Sequence, residues 1–264
     1  MDIKQSHIVG FSPCGSTFRA LRAIAAGFPA PAREHSVTLP EDRTAQREFG
    51  FEDLVIIGFP VYGGRLPRVA DEVFATLKGS RTPAILVAVY GNRDYEDALL
   101  EMQKCMEARG FMPFAAAAVI AEHVFQPQVG ASRPDKEDKA GLEGFGRAAV
   151  ASLAGIASAD AVCFTAPGEF PYRKEPLRLP FAPETLDNCI ECGACIDACP
   201  SAAIPQGDPF TTIADRCMAC VACVKVCPVE ARVITAPQLG QSAKWLLENF
   251  SAPRANEFFP VGIV

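Results

Sequence analysis

The sequence predicts an α/β protein: a doubly wound sheet of five parallel strands, followed by a smaller cysteine-rich domain. Three observations carry that expectation. Through the first 160 residues, apolar strand-length runs alternate with helix-patterned stretches. A proline-rich stretch then breaks the pattern. Finally, the spacing C-x2-C-x2-C-x3-C-P is written twice near the end, in CIECGACIDACP (189–200) and CMACVACVKVCP (217–228).

The elements follow in order. HIVGF (7–11) reads as a buried strand and STFRALRAIAAGF (16–28) as the helix after it. EHSVTLP (34–40) is a weaker second strand, and DLVIIGFPVY (53–62) is a continuous apolar run of the kind a central parallel strand requires. RVADEVFATLK (68–78) is amphipathic, PAILVAVYGN (83–92) is another buried strand, and DYEDALLEMQKCMEARG (94–110) is a helix closed by glycine. FAAAAVIAEHVF (114–125) is the fifth strand, and DKEDKAGLEGFGRAAVASLAGI (135–156) is a last helix weakened by its glycines. Five strands separated by helices imply βαβ units and a parallel sheet covered on both faces. The expected division is a first domain over 1–160, a proline-rich linker over 161–184, a cysteine domain over 185–237, and a terminal helix and tail over 238–264.

Composition excludes several classes. A net charge of −6 leaves no excess of basic residues for a nucleic-acid-binding face. The longest apolar run, FAAAAVIA (114–121), falls far short of the roughly 18–20 residues that cross a bilayer. The segment MDIKQSHIVGFSP lacks the basic flank, apolar core and cleavage site of a secretory signal, so a cytoplasmic location is expected. In such a reducing compartment, and with eight of the 11 cysteines in two compact groups, metal ligation explains them better than disulfides.

Thiolates are soft ligands, and clusters this tight suit iron–sulfur centres. Zinc sites instead take two close cysteine pairs separated by a long loop. Over about fifty residues this part resembles the bacterial two-cluster ferredoxins, small α+β domains. In that family the fourth cysteine of each run ligates the other cluster. The resemblance therefore implies one [4Fe–4S] centre on Cys189, Cys192, Cys195 and Cys227, and a second on Cys217, Cys220, Cys223 and Cys199. It also implies Ile190, Ile196, Val221 and Val224 as shields for the sulfurs.

In the first domain, GFSPCGSTFRALRAI (10–24) reads as a strand, a polar glycine loop and a helix start, a geometry that suits a phosphate monoester. The lysine-bearing phosphate-loop pattern and the dinucleotide G-x-G-x-x-G are both absent. The loop Ser12, Pro13, Cys14, Gly15, Ser16 and Thr17 resembles the FMN phosphate loop of flavodoxins, with Cys14 where a hydroxyl is common. Two further loops lie at strand ends, where open α/β sheets bind ligands. One brings Pro60, Val61, Tyr62, Gly63 and Gly64; the other brings Tyr90, Gly91, Asn92, Arg93 and Tyr95. The resemblance implies that these sandwich the isoalloxazine ring.

The whole order is similar to the flavodoxin–ferredoxin fusion proteins of anaerobic bacteria and archaea. That similarity implies FMN and two [4Fe–4S] clusters as cofactors, and a ferredoxin-like or other low-potential redox protein as electron donor. Two function classes stay open: a relay passing electrons through the clusters to FMN and on to a redox partner, or an FMN-dependent reductase of a small-molecule substrate fed by the clusters. His123 and Arg93 are the candidate catalytic residues, each weighed against a structural role. Arg65 is a further candidate to offset flavin charge, Cys105 reads as core, and Trp245 as the anchor of the last helix. A homodimer is open too, and the proline-rich arm is expected to fold back so that the two halves touch.

Overall fold

The centre of the molecule is built from the apolar runs. The computed structural model describes residues 2–154, 162–260 and 262–263. The first part runs β1 (Gln5–Gly10), α1 (Ser16–Ala25), β2 (Arg33–Ser36), β3 (Arg47–Phe49) and β4 (Asp53–Pro60). It continues with α2 (Ala70–Ala75), β5 (Leu77–Gly79), β6 (Thr82–Tyr90), α3 (Ala98–Ala108), β7 (Phe111–Ile120) and α4 (Lys136–Ala154). β6 is buried along its whole length and β4 from Leu54 to Phe59, because helices cover both faces.

Along the sheet the parallel strands stand in the order β2, β1, β4, β6, β7. The chain winds one way from β1 to β2 and the other way from β4 onward. That is the doubly wound order of flavodoxin-like sheets, and it opens a crevice at the carboxyl ends of β1 and β4. β2 is shorter than expected: Val37 still donates to the Gly10 carbonyl at 3.1 Å, but Pro40 then starts a 3-10 turn over Pro40–Arg43. The short parallel pair β3–β5 was not expected.

One glycine of α4, Gly146, serves packing. A Cβ at Gly146 would lie 2.0 Å from the Ile24 carbonyl oxygen, so its absence lets α4 close on α1. The expected last residues of that helix, 155 and 156, and the expected boundary at 160–161 lie outside the described residues.

The second part comprises β8 (Val162–Cys163), β9 (Glu184–Thr185), α5 (Ala194–Asp197), α6 (Ala222–Lys225), β10 (Arg232–Val233), α7 (Pro237–Phe250), β11 (Glu257–Phe259) and β12 (Gly262–Ile263). β9 and β10 pair antiparallel beneath the two single-turn helices, and β8 pairs with β12. β11 returns to the large sheet and pairs antiparallel with β7, Phe258 facing Ala117 in register. The sheet therefore has six strands rather than five, and the tail covers an edge that would otherwise expose unpaired backbone. Asn256 pins it: its Oδ1 accepts from the Ile120 N–H at 2.9 Å and its Nδ2 donates to Asp138 at 2.9 Å.

The proline-rich arm folds back onto α3. The buried Asp97 carboxylate accepts from the Glu169 N–H at 2.9 Å, the Arg173 N–H at 2.8 Å and the Arg173 guanidinium at 2.9 and 2.7 Å. Gln103 binds the Phe164 carbonyl and the Ala166 N–H, and Arg65 donates to the Lys174 carbonyl. The cysteine-rich part lies against the sheet as well: Met218, Cys220 and Ala222 belong to the same apolar core as Val9, Phe59 and Tyr90. Among the described residues no helix is long and apolar enough to cross a membrane.

Candidate functional site

The two cysteine runs are pseudo-symmetric in backbone as well as in spelling. Each run places residues in the left-handed region at equivalent offsets: Glu191 and Ala219 (φ 52° and 54°), Gly193 and Val221 (78° and 58°), Ala202 and Glu230 (46° and 53°). These turns aim backbone N–H groups at sulfur. Ala203 N–H lies 3.1 Å from Cys199 Sγ and Ala231 N–H lies 3.1 Å from Cys227 Sγ. Glu191 and Ala219 donate to Cys189 and Cys217, each at 3.4 Å. Hydrogen bonds to sulfur of this kind tune iron–sulfur centres.

The thiols gather around two separate cavities. One is lined by Cys189, Cys192, Cys195 and Cys227; the other by Cys199, Cys217, Cys220 and Cys223. The grouping crosses the two runs. All eight are free thiols. Among the described residues no three such side chains close on one metal ion. Four sulfurs around a cavity fit a cluster rather than a zinc ion, which needs all of them about 2.3 Å from one point. Burial holds the Cys220 thiol well above the usual range and raises Cys223, against the pull of Arg232 on the latter. Of the expected sulfur shields, Ile196 and Val221 are buried, Val224 is half-buried and Ile190 is exposed.

A cleft opens beside the second cavity. Ser16, Pro60, Val61, Tyr62, Gly63, Tyr90, Gly91, Arg93 and His123 line it, so all three expected loops reach it. Val89, Ala121, Glu122, Val124, Phe125, Leu177, Ala219, Ser242, Trp245 and Leu246 line it too. Met218 lines both this cleft and the Cys199, Cys217, Cys220, Cys223 cavity. The loop at its base is helix-terminal: Gly15 sits at φ 81° as the α1 N-cap, and the Ser12 hydroxyl accepts from the Phe18 N–H at 3.3 Å. Among the residues that line the cleft, two buried polar atoms are left without a partner, Tyr90 Oη and Arg93 Nη2. Together with the unpaired N–H groups of the first turn of α1, they are the donors that an anionic, heteroatom-rich ligand would need.

Burial, with Arg93 nearby, lowers the His123 pKa to about 4, so the ring is neutral near pH 7. Its Nδ1 accepts from the Phe125 N–H at 3.2 Å, which leaves the proton on Nε2. Arg93 gives Nη1 to Glu96 at 2.8 Å. Tyr62 is pushed well above the normal phenol range by burial and by its neighbours Cys220, Cys14 and Cys217.

Other expected residues are engaged elsewhere. Asn92 Nδ2 holds the Phe250 and Ala252 carbonyls at 2.7 and 2.9 Å, and Tyr95 Oη donates to Glu257 at 2.9 Å. Both secure the tail. Gly64 packs on Glu96, where a Cβ would meet the carboxylate at 2.0 Å. Arg65 is paired with Glu101 at 2.8 and 2.9 Å, so its charge is taken up. Cys14 is a protonated thiol raised by burial, and it donates to the Cys220 carbonyl at 3.1 Å. Ser12, Pro13, Gly15 and Thr17 shape the loop below the cleft without lining it. Cys105 packs against the core and burial raises it to about 11. Trp245 is 49% exposed on the cleft wall; Leu246, at 4%, is what anchors α7.

Two residues that the sequence reading passed over sit at the heart of the arrangement. Arg43 donates to the Pro200 carbonyl at 2.8 Å, and Arg68 binds the Asp215 and Cys217 carbonyls at 2.9 and 2.5 Å. A basic residue beside a proline-rich turn carries no sequence signal that it caps another domain's backbone.

Comparison with known proteins finds a domain match in the cysteine-rich part. Residues 188–231 match the 4Fe-4S dicluster domain. No curated protein matches the chain. Among solved structures, a flavodoxin from the domain Archaea aligns at 12% identity and a TM-score of 0.38, covering 55% of this chain and 94% of that one. The metal-soaked Flv1 flavodiiron core from Synechocystis sp. PCC6803 aligns at 16% identity and a TM-score of 0.37, covering 54% of this chain and 34% of that one. The strand order and the dicluster match together describe a flavodoxin-like half joined to a ferredoxin-type half.

Proposed function

We propose that this chain is an iron–sulfur flavoprotein of the flavodoxin–ferredoxin fusion type. It relays electrons from a low-potential donor through two [4Fe–4S] centres to FMN, and from there to a redox partner. Bound at these sites, the clusters would supply one-electron steps and FMN both one- and two-electron chemistry. The observation that carries the reading is Met218, a side chain in the wall of both the cleft and the Cys199, Cys217, Cys220, Cys223 cavity.

The chain's own residues divide the work. The α1 N-terminus with Ser16 would hold the phosphate, and Pro60 to Gly63 with Tyr90, Gly91 and Arg93 would bracket the ring. Tyr62, half-buried where the cleft meets the cysteine loops, would narrow the path for water between them. Leu177 from the arm and Leu246 from α7 close the sides.

A second reading has its own support. The cleft is mainly apolar yet holds the neutral His123 and an unpaired Arg93 nitrogen, which suits FMN-dependent reduction of a small anionic or carbonyl-bearing molecule. There His123 Nε2–H would hold the substrate oxygen, and Arg93 its charge.

Anaerobic reconstitution followed by iron, sulfide and flavin counts tests the shared core of both readings. Two clusters and one FMN per chain are expected. Reduced ferredoxin-type donor should then bleach the flavin quickly in the parent, and at least tenfold more slowly in Cys220→Ser. Equal rates would end the relay. Steady turnover with a small substrate and no protein acceptor would favour the reductase.

A further inference from the structure

Arg232 is a buried cation with no buried anion to match. Its side chain is 2% exposed, and it lines both cysteine cavities. Nη1 donates to Thr185 Oγ1 at 2.5 Å and to the Pro209 carbonyl at 3.0 Å. Nη2 donates to Thr212 Oγ1 at 2.7 Å and the Pro183 carbonyl at 3.2 Å, and reaches Cys223 Sγ at 4.0 Å. Nε has no partner. Every oxygen around it is neutral; among the described residues no carboxylate pairs with it. An ionised group held this way costs several kcal/mol unless a counter-charge is close. The groups left to supply that charge are the thiolates and what they bind.

Symmetry sharpens the point. In the repeated motif Arg232 stands five places after Cys227, where the first copy has Ile204 five places after Cys199. Ile204 is buried core, as a residue shielding a metal centre should be. One half of the pseudo-dyad carries an apolar residue where the other carries a fixed positive charge that lines both cavities.

We propose that Arg232 is the internal counter-cation of the two iron–sulfur centres, raising the potentials of both. The effect is larger for the centre beside the flavin cleft, because Nη2 faces Cys223 of that set. This rests on the cluster assignment above. One-electron reduction adds a negative charge to a centre, and a cation fixed within the same low-dielectric interior favours that state. Arg232 would then bias electrons entering the protein toward the centre that shares Met218 with the cleft.

The test is EPR-monitored redox titration of the holoprotein and of Arg232→Ile, Arg232→Gln and Arg232→Lys, each with iron and sulfide counts. Arg232→Ile and Arg232→Gln are expected to lower both midpoints at full iron content. The larger drop should be at least a tenfold change in the reduction equilibrium, about 59 mV for a one-electron centre. Arg232→Lys, which keeps the charge, should lie nearer the parent. Midpoints unchanged in the neutral variants, or Lys and Gln indistinguishable, overturn the proposal. So does loss of iron from all three variants, which would make the residue purely structural. A parent that holds fewer than two clusters defeats the cluster assignment instead, and the iron count reports that separately.

Discussion

Replacing Asp97 with alanine should release the arm, and the size of the effect follows from its contacts. The carboxylate is 1% exposed and takes two backbone N–H bonds, from Glu169 and Arg173, besides the Arg173 guanidinium. Each N–H bond to a charged acceptor is worth about 1.5–3 kcal/mol net. The guanidinium is 40% exposed and is rehydrated when the pair breaks, so it adds less than about 1 kcal/mol. The sum, reduced because an undocked arm regains water and chain entropy, is about 3–5 kcal/mol. For a chain of this size that lowers Tm by about 10 °C. Asp97→Asn keeps one acceptor and should lose about half as much. Anaerobic thermal unfolding of the holoprotein measures the loss, and limited proteolysis reads exposure of 164–184. The arm also brings Leu177 against Gly63, where an added Cβ would lie 3.3 Å away, and into the cleft wall. Flavin should therefore dissociate about tenfold more readily, the equivalent of 1.4 kcal/mol. If Asp97→Ala melts within about 1 kcal/mol of the parent and the arm resists protease, the carboxylate is not what fixes it.

Trp245 is the single tryptophan, half-exposed on the cleft wall, so titrating the flavin-free protein with FMN should quench its emission to saturation. Unchanged emission with FMN bound by dialysis would place the flavin elsewhere. Crossed ligation predicts that Cys199→Ser and Cys217→Ser leave the same surviving EPR signal, and that Cys227→Ser and Cys189→Ser leave the other; if Cys199→Ser matches Cys189→Ser, the cavities are misread. His123, with its pKa lowered to about 4 from 6.5, binds fewer protons folded than unfolded. Stability should therefore fall as pH drops through that window, by at most about 3 kcal/mol, and His123→Asn should flatten the slope.

What the sequence made legible was whatever one segment settles alone. DLVIIGFPVY and PAILVAVYGN can be little else than central strands, because no other position in an α/β sheet buries every residue. The cysteine runs likewise carry their geometry in their spacing. The tail was illegible for the opposite reason. Glu257–Phe259 is three residues long, and it becomes a strand only because Asn256, Asn92 and Tyr95 tie its neighbourhood to loops far earlier in the chain. Asn92 and Tyr95 looked like flavin contacts because an asparagine and a tyrosine after a strand suit either task. Arg232, in EARVI, carries no local sign that it is buried. Laying the second copy of the motif on the first would have flagged it, since it falls where isoleucine is expected.

The arm and the tail both dock on the first half, which leaves the cysteine loops themselves to be held there. That task falls to a shared apolar core and to arginines whose targets are backbone. Met218, Cys220 and Ala222 are buried with the sheet residues, so the ligand-bearing loop is part of the first half's core rather than a neighbour resting on it. Arg68 then grips the carbonyl of Cys217 itself, and Cys14 the carbonyl of Cys220. Both anchors fall on members of the cavity that adjoins the cleft, whereas Cys189, Cys192, Cys195 and Cys227 receive no such contact from the sheet domain among the described residues. Separation between the cleft and the adjoining cavity is consequently set by close packing and short hydrogen bonds, and linker length does not enter. An arrangement that needs electrons to cross this wall requires that rigidity, while the outer cavity, with Cys192 and Ile190 exposed, is the one a partner can approach.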